Sequence, residues 1–445
     1  MFKNYKLKNF NFRLVFYCLI LCTIGYLAIG SAVSGNYNEG LENKQLMGIA
    51  IGFTAMMILT FVDYHLYMKF FWAIHLVNLG LLLLTKFAGV SSHNAKRWLK
   101  LGPLPQIQPS EFSKIMLILV MAALLGIFKE KINKVWTIAI VLTVCATAWA
   151  LIVDEPDLST TIVCCFIFCA IYYIAGISYK WILGVLGVTL PIGIWGIWAL
   201  LNGVIPETIL KEYQQGRILS FIFPKQYADE WYQQEYSIIA IASGGLSGKG
   251  LNTDSYASVK TGNFLSEAQT DFIFTIVGEE LGFLGTCAVI LLLILVVFEC
   301  FQTAYRARDL EGKIIAGGVG SLIAFQGCIN IAVATGCMCN TGIPLPFVSA
   351  GISSLLSMFI GIGLVMNVGM MPMENFRNYQ QTISAAAGNN TKNENERNGE
   401  KDAIRITVNT VADAQNQSQA SVAAAAARSM RNSVPSAFTK NLKKK

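Results

Sequence analysis

The stretch FLSEAQTDFIFTIVGEELGFLG of residues 264–285 changes from polar to apolar, and three of its four carboxylates stand at or beyond the change. Asp271 lies at the boundary, and Glu279 and Glu280 follow inside a segment apolar enough to enter a bilayer. A carboxylate within a membrane is costly, which favours a functional role. Asp271 at a membrane surface could act as a general base toward a hydroxyl group. The alternative is that Asp271, beside Thr270, caps the helix that follows.

Glu279 and Glu280 differ from Asp271 in depth. At a rise of 1.5 Å per residue they lie about 12–14 Å below Asp271 along a helix. Neighbouring helical residues also point about 100° apart, so the two cannot share one role. We expect both to support a wet cavity or to pair with a basic group.

A second charged pair lies in the stretch QPSEFSK. Glu111 and Lys114 are three residues apart and therefore share one face of a helix. Opposite charges at this spacing can pair and so tolerate partial burial in a membrane span. The alternative is an interfacial capping pair that only anchors the helix.

Other polar stretches could bind a ligand. YQQGR places Arg217 among amide side chains, and SGGLSGKG combines Lys249 with glycines that allow the backbone to approach a ligand closely. The alternative for the second stretch is a plain flexible loop. In TGIPLPFVS, two prolines keep the backbone irregular next to Ser349, and such backbone at membrane depth must line protein or a wet cavity.

The stretch DEPDLSTTI has two interpretations. Asp157, before Ser159 and Thr160, is a suitable helix cap. The alternative is a divalent cation held by Asp154, Glu155 or Asp157. We otherwise expect no metal or cofactor, because three histidines and eleven scattered cysteines form no metal-binding pattern, which excludes soluble metalloenzymes.

The elements that position these residues are membrane helices. The chain of 445 residues is 54% hydrophobic and 14% charged, which predicts an all-α polytopic membrane protein. Apolar runs of about 20 residues predict ten spans. These lie at 14–33, 46–63, 66–88, 113–128, 136–153, 159–177, 181–201, 272–300, 313–336 and 347–371.

The basic residues near the span ends predict the orientation. They place both termini in the cytoplasm and the large loop 202–270, between the seventh and eighth spans, outside. The domain is expected over 1–372, followed by a disordered cytoplasmic tail at 373–445 that lacks large apolar residues. The outer segment 86–112 breaks the charge rule because it carries Lys96, Arg97 and two further lysines. A miscounted span would explain this; so would a site for an anionic ligand.

Taken together, these motifs resemble the SEDS family (shape, elongation, division and sporulation; RodA, FtsW and SpoVE type). The resemblance covers about Asn11 to Met371. It is carried, in order, by AKRWLKLGP, QPSEFSK, EPDLST, YQQGR, YQQEYSIIAIASGGLSGKG, QTDFIFTIVGEELGFLG and TGIPLPFVS. The sequence departs from the family pattern at Gln269, at Ser159, around Cys339 and over Ser349–Ser353.

The resemblance implies a ten-helix enzyme of the bacterial inner membrane that polymerises lipid II into peptidoglycan glycan strands, releasing undecaprenyl diphosphate. It implies that Asp271 is the essential acidic residue and the candidate base. Glu111 and Lys114 match a charged pair lining a polar cavity, and Arg97, Arg217, Lys249 and Ser349 match positions of an outer groove. Lys96, Arg97, Lys114 and Arg217 are candidates for holding the diphosphate.

The implied partners are a class B penicillin-binding protein and other elongation or division proteins, with no nucleic acid. A transporter that flips lipid II is the alternative from another class, since ten spans, a buried ion pair and a polar cavity would serve it as well.

Overall fold

The computed structural model describes residues 9–33, 40–92, 95–100, 106–155, 157–204, 206, 211–251, 265 and 268–371. The expected tail at 373–445 and the side chain of Lys96 lie outside this part of the chain. The described residues are mostly helical, which confirms the predicted all-α membrane fold. The elements are α1 Phe12–Val33, α2 Leu41–Thr60, α3 Tyr64–Lys69, α4 Phe71–Ala88, β1 Val90–Ser92, β2 Ala95–Trp98, α5 Pro109–Ile127, α6 Val135–Asp154, α7 Leu158–Ala175, α8 Tyr179–Leu201, α9 Glu212–Ile222, α10 Ala228–Ser243, α11 Ile273–Tyr305, α12 Leu310–Ala334 and α13 Ile352–Met370.

Within the described residues, nine helices are long and apolar enough to cross a membrane: α1, α4 to α8 and α11 to α13. The tenth predicted span corresponds to α2, whose first turn carries Glu42 and Lys44 and is therefore less apolar. At 20 residues α2 is about 30 Å long, which matches the thickness of a bilayer core. It packs along α13, as a spanning helix would.

The core of the bundle is formed by α5, α12 and α13. The buried share of their apolar stretches is 78%, 78% and 72%, compared with 6% for α8. α12 packs against α5, α7, α11 and α13, while α1 packs against α11. The helix α5, which carries Glu111 and Lys114, is thus part of the buried core. The helix α11, which follows Asp271, packs against this core through α12.

The predicted span at 66–88 is interrupted in the structure. The short helix α3 is capped by Asp63, whose carboxylate accepts from the main-chain N–H of His65 at 2.9 Å. The backbone leaves helical geometry at Phe70, and α4 begins at the next residue. Tyr64 explains the interruption: its hydroxyl donates to Asp309 at 2.7 Å, and its main-chain N–H donates to the Asn367 amide at 3.0 Å. These contacts hold α3 against the start of α12 and the end of α13.

The loop expected over 202–270 contains two helices, α9 and α10, and α10 packs against α11. After α10, residues 244–250 run along a break in α11 at Gly282, where φ is 65°. The N–H groups of Lys249 and Gly250 donate to the carbonyls of Glu279 and Glu280, both at 3.0 Å. The N–H groups of Phe283 and Leu284 donate to Gly245 and Leu246. The glycines thus allow this segment to approach α11 closely.

We expect Gly248→Ala to destabilise the protein by about 2–4 kcal/mol. Gly248 has a φ of 80°, and a Cβ there would lie 2.1 Å from the carbonyl oxygen of Glu280. Thermal or denaturant unfolding in detergent micelles measures the loss. Gly245→Ala is the matched control, because Gly245 also has a positive φ but faces open space, and about 1 kcal/mol is expected there. Equal losses at both positions would contradict the close-approach explanation.

Candidate active site at the polar end of the bundle

The helices α5, α7, α11 and α13 begin at one end of the bundle, which we call the polar end. The main-chain N–H of Gln108, before α5, donates to Ser353 of α13 at 3.0 Å. Ser110 of α5 donates to Asp157, the cap of α7, at 3.4 Å. Ser349, before α13, donates to the carbonyl of Thr270, before α11, at 2.7 Å. The polar end therefore gathers helix N-termini, whose free N–H groups favour negative charge.

Asp271 and Arg217 lie at one point of the polar end, beside Gly342. A Cβ at Gly342 would lie 3.2 Å from Asp271 Oδ2 and 3.7 Å from Arg217 Nη1. Arg217 comes from α9, and it also donates to the carbonyl of Asn340 at 3.5 Å. The predicted base, just before α11, and one predicted cation, on α9, thus face the same loop.

The backbone around Asp271 is fixed by the segment 340–351. Asn330 of α12 donates to the carbonyls of Asp271 at 2.8 Å and Ile343 at 2.7 Å. The hydroxyl of Ser349 accepts from the main-chain N–H of Leu345 at 2.7 Å and donates to Thr270. Ser349 is 5% exposed, so the structure places it between two backbone segments.

Arg97 reaches the polar end from β2. Its Nε donates to the carbonyl of Glu155 at 3.2 Å, and its Nη1 lies 4.0 Å from Asp157 Oδ1. Two residues beyond Asp157, the hydroxyl of Ser159 donates to the carbonyl of Thr341. Thr341 precedes Gly342, so Arg97 and Asp157 belong to the same polar end as Asp271.

Two of the three carboxylates proposed for a divalent cation, Asp154 and Asp157, have separate partners. Asp154 pairs with Lys86 at 2.8 Å, whereas Asp157 accepts from the N–H of Thr160 at 3.2 Å and thereby caps α7. Within the described residues, no group of three histidines, cysteines or carboxylates is arranged to hold a metal ion.

Glu155, between α6 and α7, has a perturbed carboxyl group. Burial, together with the charge of the nearby Asp157, raises the pKa of Glu155 to about 8, and Arg97 opposes the shift. The side chain is 3% exposed. Near neutral pH this group holds its proton, which reduces the negative charge around Arg97.

The raised pKa predicts how stability depends on pH. An unfolded chain releases this proton near pH 4.5, while the folded protein keeps it to about pH 8. The stabilisation is therefore fully present below pH 4.5 and is lost as the pH rises through about 8. We expect the melting temperature of the wild type to fall more steeply than that of Glu155→Gln between pH 7 and 9, measured in detergent. Asp229→Asn, an exposed carboxylate in the first turn of α10, should retain the wild-type slope; parallel curves for wild type and Glu155→Gln would contradict the assignment.

Glu111 and Lys114 form a buried pair in the first turns of α5. Lys114 Nζ lies 2.8 Å from Glu111 Oε1, and the two side chains are 2% and 4% exposed. Glu111 Oε2 is also buried, with no hydrogen-bond partner within the described residues. The ammonium group of Lys114 is thus held inside the bundle beneath the polar end.

Lys249, Glu279 and Glu280 meet at the break in α11. Lys249 Nζ lies 2.6 Å from Glu279 Oε1, and the hydroxyl of Ser31 in α1 donates to Glu280. Glu279 and Glu280 are 1% and 3% exposed. These contacts join α1, α11 and the segment 244–250.

Sequence reasoning missed several residues of the polar end. Asn330, Gln108 and Asn340 are uncharged amides. Asn330 donates to the carbonyls of Asp271 and Ile343, the Gln108 amide donates to Ser110 and Asp157, and the Asn340 amide donates to Gln233. A polar residue inside an apolar run, such as Asn330 in α12, is the signal that would have found one of them.

Comparison with known proteins extends these observations. Residues 12–373 match the family of cell cycle proteins that comprises FtsW, RodA and SpoVE. Stage V sporulation protein E of Bacillus subtilis is 32% identical over 367 residues, covering 80% of this chain and 95% of that protein. The peptidoglycan glycosyltransferase MrdB of Escherichia coli is 29% identical over 353 residues, covering 79% and 91%.

Solved structures show the same fold. A peptidoglycan synthase complex, described as coordinating polymerization and crosslinking, contains a chain with 26% identity and a TM-score of 0.66 that covers 82% of this chain and 98% of its own. The rod shape determining protein RodA of Thermus thermophilus matches with a TM-score of 0.58 at 24% identity, covering 82% and 97%. With its helices, its polar end and a match over most of its length, the chain belongs to the FtsW, RodA and SpoVE family of cell cycle proteins.

Proposed function

We propose that this protein is a peptidoglycan glycosyltransferase that polymerises lipid II and releases undecaprenyl diphosphate, for cell elongation, division or sporulation. Relatives with this named activity match over about four fifths of the chain. The observation that carries the proposal is Asp271 beside Arg217 at Gly342, where a carboxylate and a guanidinium meet at the start of a membrane helix. A lipid-linked sugar phosphate presents its head group at this level.

Asp271 is the proposed general base. The 4-hydroxyl of the acceptor sugar attacks the anomeric carbon of the donor, and its proton passes to the Asp271 carboxylate. The bond between that carbon and the diphosphate oxygen breaks, and the electron pair leaves with undecaprenyl diphosphate. Attack from the face opposite the leaving group inverts the anomeric configuration.

The leaving diphosphate needs positive charge. Arg217 and Arg97 are the proposed groups, since both lie at the polar end and guanidinium groups bind phosphate oxygens in pairs. The N-termini of α5 and α7 add donors and a favourable dipole there. Lys96 carries a further charge on β2. Lys114, buried against Glu111, adds positive charge to the diphosphate site from beneath the polar end. Lys249 and Ser349 support the backbone of the site.

The proposed orientation places the polar end at the outer face of the bacterial inner membrane and both termini in the cytoplasm. The basic residues near the span ends support it. A class B penicillin-binding protein is the proposed partner. The similarity to a chain of a complex that coordinates polymerization and crosslinking supports this assignment.

Purified protein, incubated with lipid II in detergent together with a class B penicillin-binding protein, tests the proposal. We expect glycan strands, detected by gel electrophoresis of labelled product, and release of undecaprenyl diphosphate. Heat-treated protein is the control. A preparation that forms no strands but moves fluorescent lipid II across a vesicle membrane would favour the transporter instead.

A further inference from the structure

Asn330 connects the two backbone segments that flank the Asp271 carboxylate. It lies near the end of α12 and is 1% exposed. Its Nδ2 donates to the carbonyl of Asp271 at 2.8 Å and to that of Ile343 at 2.7 Å. Both amide hydrogens are therefore used, one on each segment.

The two acceptors surround the reacting group. Ile343 follows Gly342, and a Cβ at Gly342 would lie 3.2 Å from Asp271 Oδ2. One amide on the rigid helix α12 thus sets both the backbone that carries the carboxylate and the loop against which it rests. Loss of these bonds would allow the loop and the carboxylate to move relative to each other, and a displacement of about 1 Å can cost about 10²-fold in rate.

We propose that Asn330 is a positioning residue for glycosyl transfer, acting through the main chains of Asp271 and Ile343. The inference rests on the proposed function of the site. At 1% exposure Asn330 is too buried to contact a substrate; it controls where the base stands. Its removal should therefore lower kcat and leave KM nearly unchanged.

Asn367 provides a matched control. It is a fully buried asparagine of α13, its Nδ2 donates to the carbonyl of Thr60 at 2.8 Å, and its Oδ1 accepts from the N–H of Tyr64 at 3.0 Å. It lies 15 residues after the start of α13, about 22 Å along the helix from the polar end. Asn367 thus makes similar bonds far from Asp271.

The experiment measures lipid II polymerisation and melting temperature in detergent for the wild type, Asn330→Ala and Asn367→Ala. We expect Asn330→Ala to lower kcat about 10²-fold with KM within about threefold, and Asn367→Ala to lose similar stability but keep kcat within about threefold. Asn330→Asp tests the donor directly: a charged carboxylate repels the two carbonyls, whereas a protonated one restores a donor. Its rate relative to wild type should therefore rise as the pH falls from about 8 to about 6.

The outcomes separate the two levels of the proposal. Asn330→Ala with a kcat within about threefold of wild type, or equal losses of kcat in both alanine variants, would overturn the positioning role while the wild type still forms strands. A wild type that forms no strands would overturn the proposed function, and the role of Asn330 with it.

Discussion

Asp271→Asn is expected to slow lipid II polymerisation by about 10²–10⁴-fold, the usual contribution of a general base. The amide keeps the size of the side chain and its place beside Gly342 and Arg217, but it cannot take the proton of the acceptor hydroxyl. Folding should be retained, because the Asn330 amide bonds to the main-chain carbonyl of residue 271 and not to the substituted side chain. The measurement is the initial rate of strand formation at saturating lipid II, together with the melting temperature.

Asp229→Asn is the control for this substitution. Asp229 is an exposed carboxylate in the first turn of α10, and its loss should leave the rate unchanged. If Asp271→Asn polymerised at the wild-type rate, another group would have to accept the proton.

Lys114→Met should lower the free energy of unfolding by about 3–5 kcal/mol, the loss expected when one partner of a buried ion pair is removed. The carboxyl group of Glu111 would then lie at 4% side-chain exposure without its partner at 2.8 Å. Unfolding by denaturant in mixed micelles measures the change.

Replacing both partners should be less harmful than replacing one. In Glu111→Gln with Lys114→Met, no uncompensated charge remains, so the double variant should be more stable than the single Lys114→Met variant. The half-exposed pair of Lys86 and Asp154 is the matched surface control, where Lys86→Met should cost about 0–1 kcal/mol. A double variant as unstable as the single one would mean that charge burial is not the cause.

The membrane fold could be predicted from sequence because apolar length reports bilayer thickness directly. For α1, α5 to α8 and α11 to α13, the predicted span and the observed helix begin and end within about five residues of each other. The interruption at Phe70 was missed, since it depends on contacts of Tyr64 with Asp309 and Asn367, which are 245 and 303 residues away. Hydropathy does not contain such contacts.

The candidate site divides in the same way. Asp271 and Arg217 were identified by residue type and position, and the structure brings them to one loop. Sequence could not distinguish the charged residues that face the polar end from those that form ion pairs within the bundle. A lysine such as Lys249 or Lys114 could bind a phosphate or pair with a carboxylate, and the residue type alone does not decide between the two. Their partners, Glu279 and Glu111, reveal the difference only in three dimensions.

The break in α11 at Gly282 limits how this protein can be recombined with its relatives. Four main-chain hydrogen bonds across the break are supplied by residues 245–250, so the segment replaces part of the helix's own bonding. In a bilayer each backbone group left unbonded costs several kcal/mol. A chimera that exchanges the region between α8 and α11 must therefore transfer residues 244–250 together with 278–284 as one inherited block, and crossover points placed between them should yield protein that fails to accumulate in the membrane.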